Sequence, residues 1–339
     1  MVPLSVLDLS PVTSGASAAV ALHNSLDLAR FADRRGYTRY WLAEHHNLAS
    51  IASTAPEIMI GEIAAQTQHL RVGSGGVMLP NHAPLMVAER FKVLEALHPG
   101  RIDLGIGRAP GTDPITSMAL RRRQELSGDD DFLERLQELL LLERAGDGGH
   151  HPLGQIRAMP TGVRLPPIWL LGSSNYSAEL SAAIGVGFSF AHHFATHDAV
   201  AAMRLYRDRF RPSVWRQAPY AILAVAVVCA PNDAEAERLA LTADLGFVRR
   251  ARGEYPPLAS PEEAAAYPYT AAENALIRQN RSRLVVGSQA TVCERLTFLI
   301  EATAADELMV TSMIYDHALR KRSYELLACA FGVQPPGAA

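Results

Sequence analysis

Arg71-Val72-Gly73-Ser74-Gly75-Gly76-Val77-Met78-Leu79-Pro80-Asn81-His82-Ala83-Pro84 begins as a strand and then fills with glycine where side chains should pack. Glycine inside a strand weakens it and marks a bulge or a place where a ligand approaches the backbone. Three glycines in four residues, followed by Asn81-His82 before Pro84, describe a strand end shaped to lie against something flat. A glycine-bulged strand in a barrel wall, with nothing bound, is the other reading.

The neighbours of this stretch decide what kind of sheet it belongs to. Upstream, Leu4 to Leu9 reads as a buried strand, and Ala18 to Arg35 as a helix stopped by Gly36. Tyr37 to Ala43 is a second strand, ending in Glu44-His45-His46-Asn47. Ser53 to Glu57 then opens a helix with a capping hydroxyl, a proline in the first turn and an acid. Downstream, Pro84 to Leu97 is a helix. Arg101 to Gly107 is a fourth strand, ending in Arg108-Ala109-Pro110-Gly111. Thr116 to Ala145 is helical with a break at Gly128 and Asp129-Asp130-Asp131, and 147–165 is a polar connector. Further strands are Ile168 to Gly172, Gly187 to His192, Ala221 to Cys229 and Glu307 to Thr311, each followed by a helix. Val285 to Ser288 reads as the lead into a helix beginning at Ala290, and the last helix runs from about His317 to Ala330. Residues 244–283 form the least regular part and read as an insertion or lid.

Eight short strands alternating with helices imply parallel pairing. Eight units with buried-type strands favour a closed α/β (β/α)8 TIM barrel over an open sheet, as one domain across 1–339 with an insertion near 244–283.

Composition narrows the function. The chain has 339 residues and a net charge of −3, which gives no electrostatic case for nucleic acid or an anionic membrane. There is no basic, apolar leader and no apolar run long enough to span a bilayer. Cys229, Cys293 and Cys329 are far apart and odd in number, so a reducing cytoplasm is the simplest setting.

In a barrel the site lies at the C-terminal ends of the strands. Asp8, Glu44-His45-His46, Gly75 to His82, Gly107-Arg108, Ser173-Ser174, His192-His193 and Ser312 converge there. Adjacent histidines leaving a strand diverge and rarely ligate one metal ion. A general base or a hydrogen-bonded structural histidine both remain open for His45, and the same holds for His192-His193. Ser173-Ser174-Asn175-Tyr176-Ser177 opens a helix and suits an anion, or is plain capping. Arg108 suits a phosphate or a polarised carbonyl, or is held by an acid. Gly105-x-Gly107-x-x-x-Gly111 is a poor dinucleotide fingerprint, and neither Lys92 nor Lys321 ends a strand, which argues against Schiff-base chemistry.

Trp41 to Asn47, Gly73 to Pro84 and Pro99 to Gly111, with Asp306 to Thr311 and Tyr315-Asp316-His317, resemble the bacterial luciferase-like flavin-dependent monooxygenases. The match covers most of the chain and is closest to stand-alone members rather than a light-emitting subunit. The resemblance implies a barrel that binds reduced FMN, supplied by a separate flavin reductase, and uses O2 on a small-molecule substrate. By the same resemblance the catalytic histidine is His45 and the arginine near the flavin is Arg108. Glu44, Gly75, Gly76 and Val77 line the cofactor, with a non-prolyl cis peptide at the glycine pair. Ser173, Ser174 and Ser177, with the backbone of Asn175 and Tyr176, hold its phosphate. A homodimer through the helices after the second and third strands is also implied. Gly107 stands where the luciferase subunit has a reactive cysteine, and Ser173 where it has an acid. These departures set light emission aside but not flavin binding. A deazaflavin coenzyme used for hydride transfer is the alternative within the fold, and a non-catalytic FMN-binding protein the alternative outside enzymes.

Overall fold

The computed structural model describes residues 2–121, 131–144 and 155–337. The strands are β1 (Leu4–Asp8), β2 (Arg39–Leu42), β3 (Arg71–Ser74), β4 (Val77–Met78), β5 (Ile102–Gly107), β6 (Ile168–Gly172), β7 (Gly187–Ala191), β8 (Ala221–Cys229), β9 (Leu284–Gly287) and β10 (Glu307–Thr311). Every pairing between them is parallel. The ring runs β1-β2-β3-β5-β6-β7-β8-β10 and closes where β10 pairs both β8 and β1. This is the closed (β/α)8 barrel, and its eight ring strands are the eight read from the sequence.

Two short strands were not expected. β4 resumes β3 beyond Gly75-Gly76 and pairs with Ile106 and Gly107 of β5. β9 lies outside the ring and pairs with Ala226 to Cys229, the part of β8 that outruns the barrel. The nine-residue length of β8 follows from these two partners in succession.

Side chains alternate across the wall. Outward residues such as Val6, Tyr40, Val72, Leu104, Phe188 and Val310 join the main core under the helices. Inward residues Leu7, Trp41, Trp169, Ile222 and Met309 fill the barrel. Its N-terminal end is closed by charge. Arg39 donates to Glu307 at 2.9 Å and Asp103 at 2.8 Å, Arg71 donates to Asp103 at 2.7 Å, and Tyr220 donates to Glu307 at 2.8 Å. Removing one member would strand buried charge, while the intact cluster adds little net stability.

The helices are α1 (Ala18–Arg35), α2 (Pro56–Gln66), α3 (Pro84–Leu97), α4 (Pro114–Arg121), α5 (Asp131–Arg144), α6 (Asn175–Ile184) and α7 (Ala199–Arg209). They continue as α8 (Asp233–Ala251), α9 (Pro261–Ala265), α10 (Ala271–Asn280), α11 (Gln289–Thr303) and α12 (His317–Ala330). The expected break at 128–130 and the start of the polar connector fall outside the described residues. Residues 244–283 are more regular than the sequence suggested. α8 continues to Ala251, and capping boxes at Ser260/Glu263 and Thr270/Glu273 start α9 and α10. Asp244 accepts from Arg281 at 2.7 and 2.8 Å, which ties α8 to the chain after α10. No helix among the described residues is long and apolar enough to cross a membrane.

Candidate functional site

The C-terminal mouth is organised by Glu44 and His45, the first residues past β2 but one. Glu44 is fully buried. Its carboxylate accepts from His46 Nε2 at 2.9 Å, His82 Nε2 at 2.9 and 3.0 Å, Asn81 Nδ2 at 3.3 Å and the Met78 N–H at 2.8 Å. Burial alone would raise its pKa. The hydrogen bonds and charge of His82, joined by His46 and the Met78 amide, outweigh burial and leave it below the usual glutamate value. Glu44 thus ties the end of β2 to the segment after the glycine pair. His82 is a partner that sequence reading missed; the Asn81-His82 pair was its only signal.

His45 turns the other way. Its Nδ1 lies 3.0 Å from the Gly111 carbonyl, and its backbone N–H donates to Ser53. A carbonyl only accepts, so Nδ1 carries the proton and Nε2 is the basic nitrogen. Burial lowers the imidazole pKa, the Gly111 carbonyl opposes this, and the charge of Arg250 lowers it again. Gly111 has φ +67°, and a Cβ there would lie 2.8 Å from the Glu44 carbonyl oxygen. Glycine is required where this turn meets the end of β2.

The Gly75-Gly76 peptide is cis, as the resemblance implies. The glycines themselves answer to the wall. A Cβ on Gly75 would meet Leu7 Cδ1 at 2.6 Å and Trp41 Cβ at 3.0 Å, and one on Gly76 would meet the Gly105 carbonyl at 2.8 Å. A Cβ on Gly105 would sit 2.0 Å from the Ser74 carbonyl. So β3 and β5 approach through glycine on both sides. Inward positions toward the mouth are small at Ala43, Gly75, Gly107 and Ala191, with Thr311 beside them, and larger at Leu9 and Leu171. The Thr311 hydroxyl is buried and has no hydrogen-bond partner among the described residues.

Arg108 leaves β5 and places its guanidinium 4.4 Å from the ring centre of Tyr176 on α6. This contact brings the end of β5 to the start of α6. Ser174 is the N-cap of α6, yet its hydroxyl makes no bond to the helix's own N–H groups. Ser17, Asp198, Asn232, Ser260, Thr270, Ser288 and Asp316 all cap their helices through the side chain. Ser173 is half-buried beside Ser174, Asn175 and Tyr176 are exposed, and Ser177 is buried under Gly172. Val77 faces the outer core.

Past β7, His193 hydrogen-bonds the Ala224 carbonyl at 3.2 Å, and burial pushes its pKa down to about 4. His192 is lowered too, first by burial and then by Arg283. The acid at the end of β1 is taken: Asp8 accepts from Arg320 at 2.6 Å. The mouth therefore presents half-buried neutral imidazoles at His45, His192 and His193, an arginine over a tyrosine and an anion-ready helix start beside small inward residues.

The family model of the luciferase-like monooxygenases matches residues 2–306. The chain belongs to that family. It is 45% identical over 326 residues to a luciferase-like monooxygenase of Escherichia coli (strain K12), covering 96% of each protein. The apo-MsnO8 crystal structure shares 41% identity at a TM-score of 0.91, over 99% of this chain and 100% of that one. The FMN complex of the oxygenating constituent of 3,6-diketocamphane monooxygenase from Pseudomonas putida shares the fold at 22% identity and a TM-score of 0.72, over 99% of each chain. The protein is an oxidoreductase of the monooxygenase type, acting with incorporation of oxygen.

Proposed function

We propose that this protein uses reduced FMN and O2 to oxidise a small organic substrate. The observation that carries the reading is the set of small inward residues at the mouth, flanked by His45 on one side and by the unengaged Ser174 cap on the other. Isoalloxazine is flat and apolar over much of its area, and Ala43 and Ala191 leave room for such a ring. FMN ends in a phosphate, and the start of α6 offers N–H groups with the hydroxyls of Ser173, Ser174 and Ser177. Arg108, beside the same helix start, adds positive charge. When bound, reduced FMN supplies the electrons for oxygen activation, one oxygen atom passing to the substrate and the other to water.

The chain's own residues do the rest. His45 Nε2 accepts a proton, because burial keeps the ring neutral and the Gly111 carbonyl holds the ring proton on Nδ1. Arg108 stabilises negative charge that develops near the end of β5. Glu44 positions the segment after the glycine pair through His82 and Met78. The α8–α10 region covers the mouth and limits water. A separate reductase supplies the reduced flavin in the cytoplasm. Ile58 on α2 and Met86, Val93 and Leu97 on α3 are exposed apolar side chains, which suit a homodimer through these helices.

Equilibrium titration of the chain with FMN and with a deazaflavin coenzyme tests the cofactor. Saturable binding of FMN, with the deazaflavin weaker, is the expected result. Preference for the deazaflavin would replace oxygen chemistry with hydride transfer. Tight FMN binding without oxygen-linked turnover would favour a non-catalytic flavin carrier.

A further inference from the structure

The face of α8 that packs on the sheet continues after the sheet has ended. Ala236, Leu239, Ala240 and Ala243 pack with Val228, Leu284 and Val286 of the β8–β9 extension. The same helical period brings Phe247 and then Arg250 onto that face. Here the barrel mouth lies opposite instead of a strand. The guanidinium of Arg283 stands 6.0 Å from the centre of the Phe247 ring. Arg283 is itself fixed on the carbonyls of Phe194 and Ala195, just past β7, at 3.0 and 3.1 Å.

Arg250 comes one turn later, close enough to His45 and His193 for its charge to act on both. Surrounding protein lowers its pKa below the usual arginine value, opposed by the Tyr255 phenol, yet the side chain is still open to solvent. Among the described residues its side chain has no hydrogen bond or ion pair. Acids at the ends of β1 and β2 and on α8 are committed elsewhere: Asp8 to Arg320, Glu44 to His46 and His82, and Asp244 to Arg281. A guanidinium on the α8 face that continues over the mouth, with no protein acceptor among the described residues, is matched by an acceptor that arrives with the ligand.

We propose that Arg250 binds a carboxylate on the organic substrate and so fixes the end of the molecule that does not react. The planar fork donates two parallel N–H bonds to a carboxylate. Phe247 on the same face supplies apolar surface for the body of the substrate. Binding at Arg250 then sets how far the oxidised atom reaches toward His45. This rests on the reading of the His45 mouth as the reaction centre.

The test is calorimetric titration of the full chain with hexanoate and with hexanamide, which match in size and differ in charge. It is run with and without FMN, on the wild type, Arg250→Lys and Arg250→Met, with FMN affinity measured alongside. The wild type is expected to favour the acid by roughly 10- to 100-fold, the range of a charge-assisted hydrogen-bonded pair. Arg250→Lys should keep part of that preference and Arg250→Met should lose it, with FMN affinity unchanged in both. Equal binding of acid and amide by the wild type, absence of binding by either, or a preference that survives in Arg250→Met overturns the proposal. So does a loss of FMN affinity in Arg250→Met without change in the acid preference, since that assigns the arginine to the cofactor phosphate. Failure of the wild type to bind FMN would instead remove the flavin reading, and the flavin-free comparison of acid and amide would still be readable.

Discussion

The role proposed for His45, a base, follows from what holds it. The Gly111 carbonyl fixes the tautomer, and burial disfavours the imidazolium. Its pKa therefore lies below 6.5, and the ring is neutral at pH 7. The acid limb of the pH–rate profile should accordingly fall below pH 6.5, since protonation of Nε2 removes the base. His45→Ala should lose about 10²- to 10⁴-fold in turnover with FMN affinity retained. Unchanged turnover in steady-state oxygen consumption would remove His45 from the chemistry. Glu44 makes a different prediction. Its folded pKa is depressed, so its contribution to stability is complete above the unfolded value near 4.5 and is lost as pH falls through the folded value. Glu44→Gln should cost about 1–3 kcal/mol at pH 7, and its melting temperature should converge on that of the wild type in acid. A difference that does not narrow as pH falls would show that the charge of Glu44 is not what holds the mouth. Both residues were visible in Glu44-His45-His46. Their partners were not, because His82 and Gly111 are brought in by β4 and the turn after β5.

At the scale of elements, β3 and β5 correct the meaning of the glycine-rich stretch. In sequence, Gly73 to Gly76 read either as a strand end shaped for a flat ligand or as a bulged wall strand with nothing bound. In the structure the space over Gly75 is filled by Leu7 and Trp41, and that over Gly76 by the Gly105 backbone. The glycines let two backbones close together, and small inward positions at the mouth are the result. Gly105→Ala should be the harsher change, because the Ser74 carbonyl lies 2.0 Å from its Cβ and backbone cannot yield. A loss of about 1–3 kcal/mol is expected. Gly75→Ala meets mainly the tip of Leu7 and should lose less; the reverse order in thermal melts would contradict the packing. The start of α6 gives a second prediction. An N-cap serine changed to alanine usually costs about 1 kcal/mol of stability. Ser174 makes no capping bond, so Ser174→Ala should leave the melting temperature nearly unchanged and weaken FMN binding about 5- to 10-fold, the weight of one lost hydrogen bond. A stability loss with intact FMN affinity would make Ser174 an ordinary cap. Arg250 was unreadable for a related reason. Its face on α8 is defined by β9, which the sequence presents as a helix lead-in four residues long.

For the whole molecule, the alternation of strands and helices was enough to foresee a parallel sheet, and the count of eight was enough to favour closure. Closure itself depends on β10 meeting β8, across 77 residues of intervening chain between Cys229 and Glu307 that include α8–α10 and β9. No local pattern carries that pairing. The small inward residues and the committed acids at the mouth are likewise brought together only once the ring has closed. The outer surface adds a prediction of its own. Ile58 and Leu97 are about 70% exposed on adjacent helices (70% and 68%), an arrangement suited to burial against a second copy. Sedimentation should show a dimer for the wild type and a monomer for Ile58→Lys/Leu97→Glu; a wild-type monomer would overturn this reading. The central claim is tested most directly by loading the protein anaerobically with reduced FMN, mixing it with oxygenated buffer and following flavin absorbance by stopped flow. Reoxidation slower than that of free FMN, through a protein-dependent phase altered in His45→Ala, is the predicted result. Reoxidation at the free-flavin rate with no such phase would contradict the account.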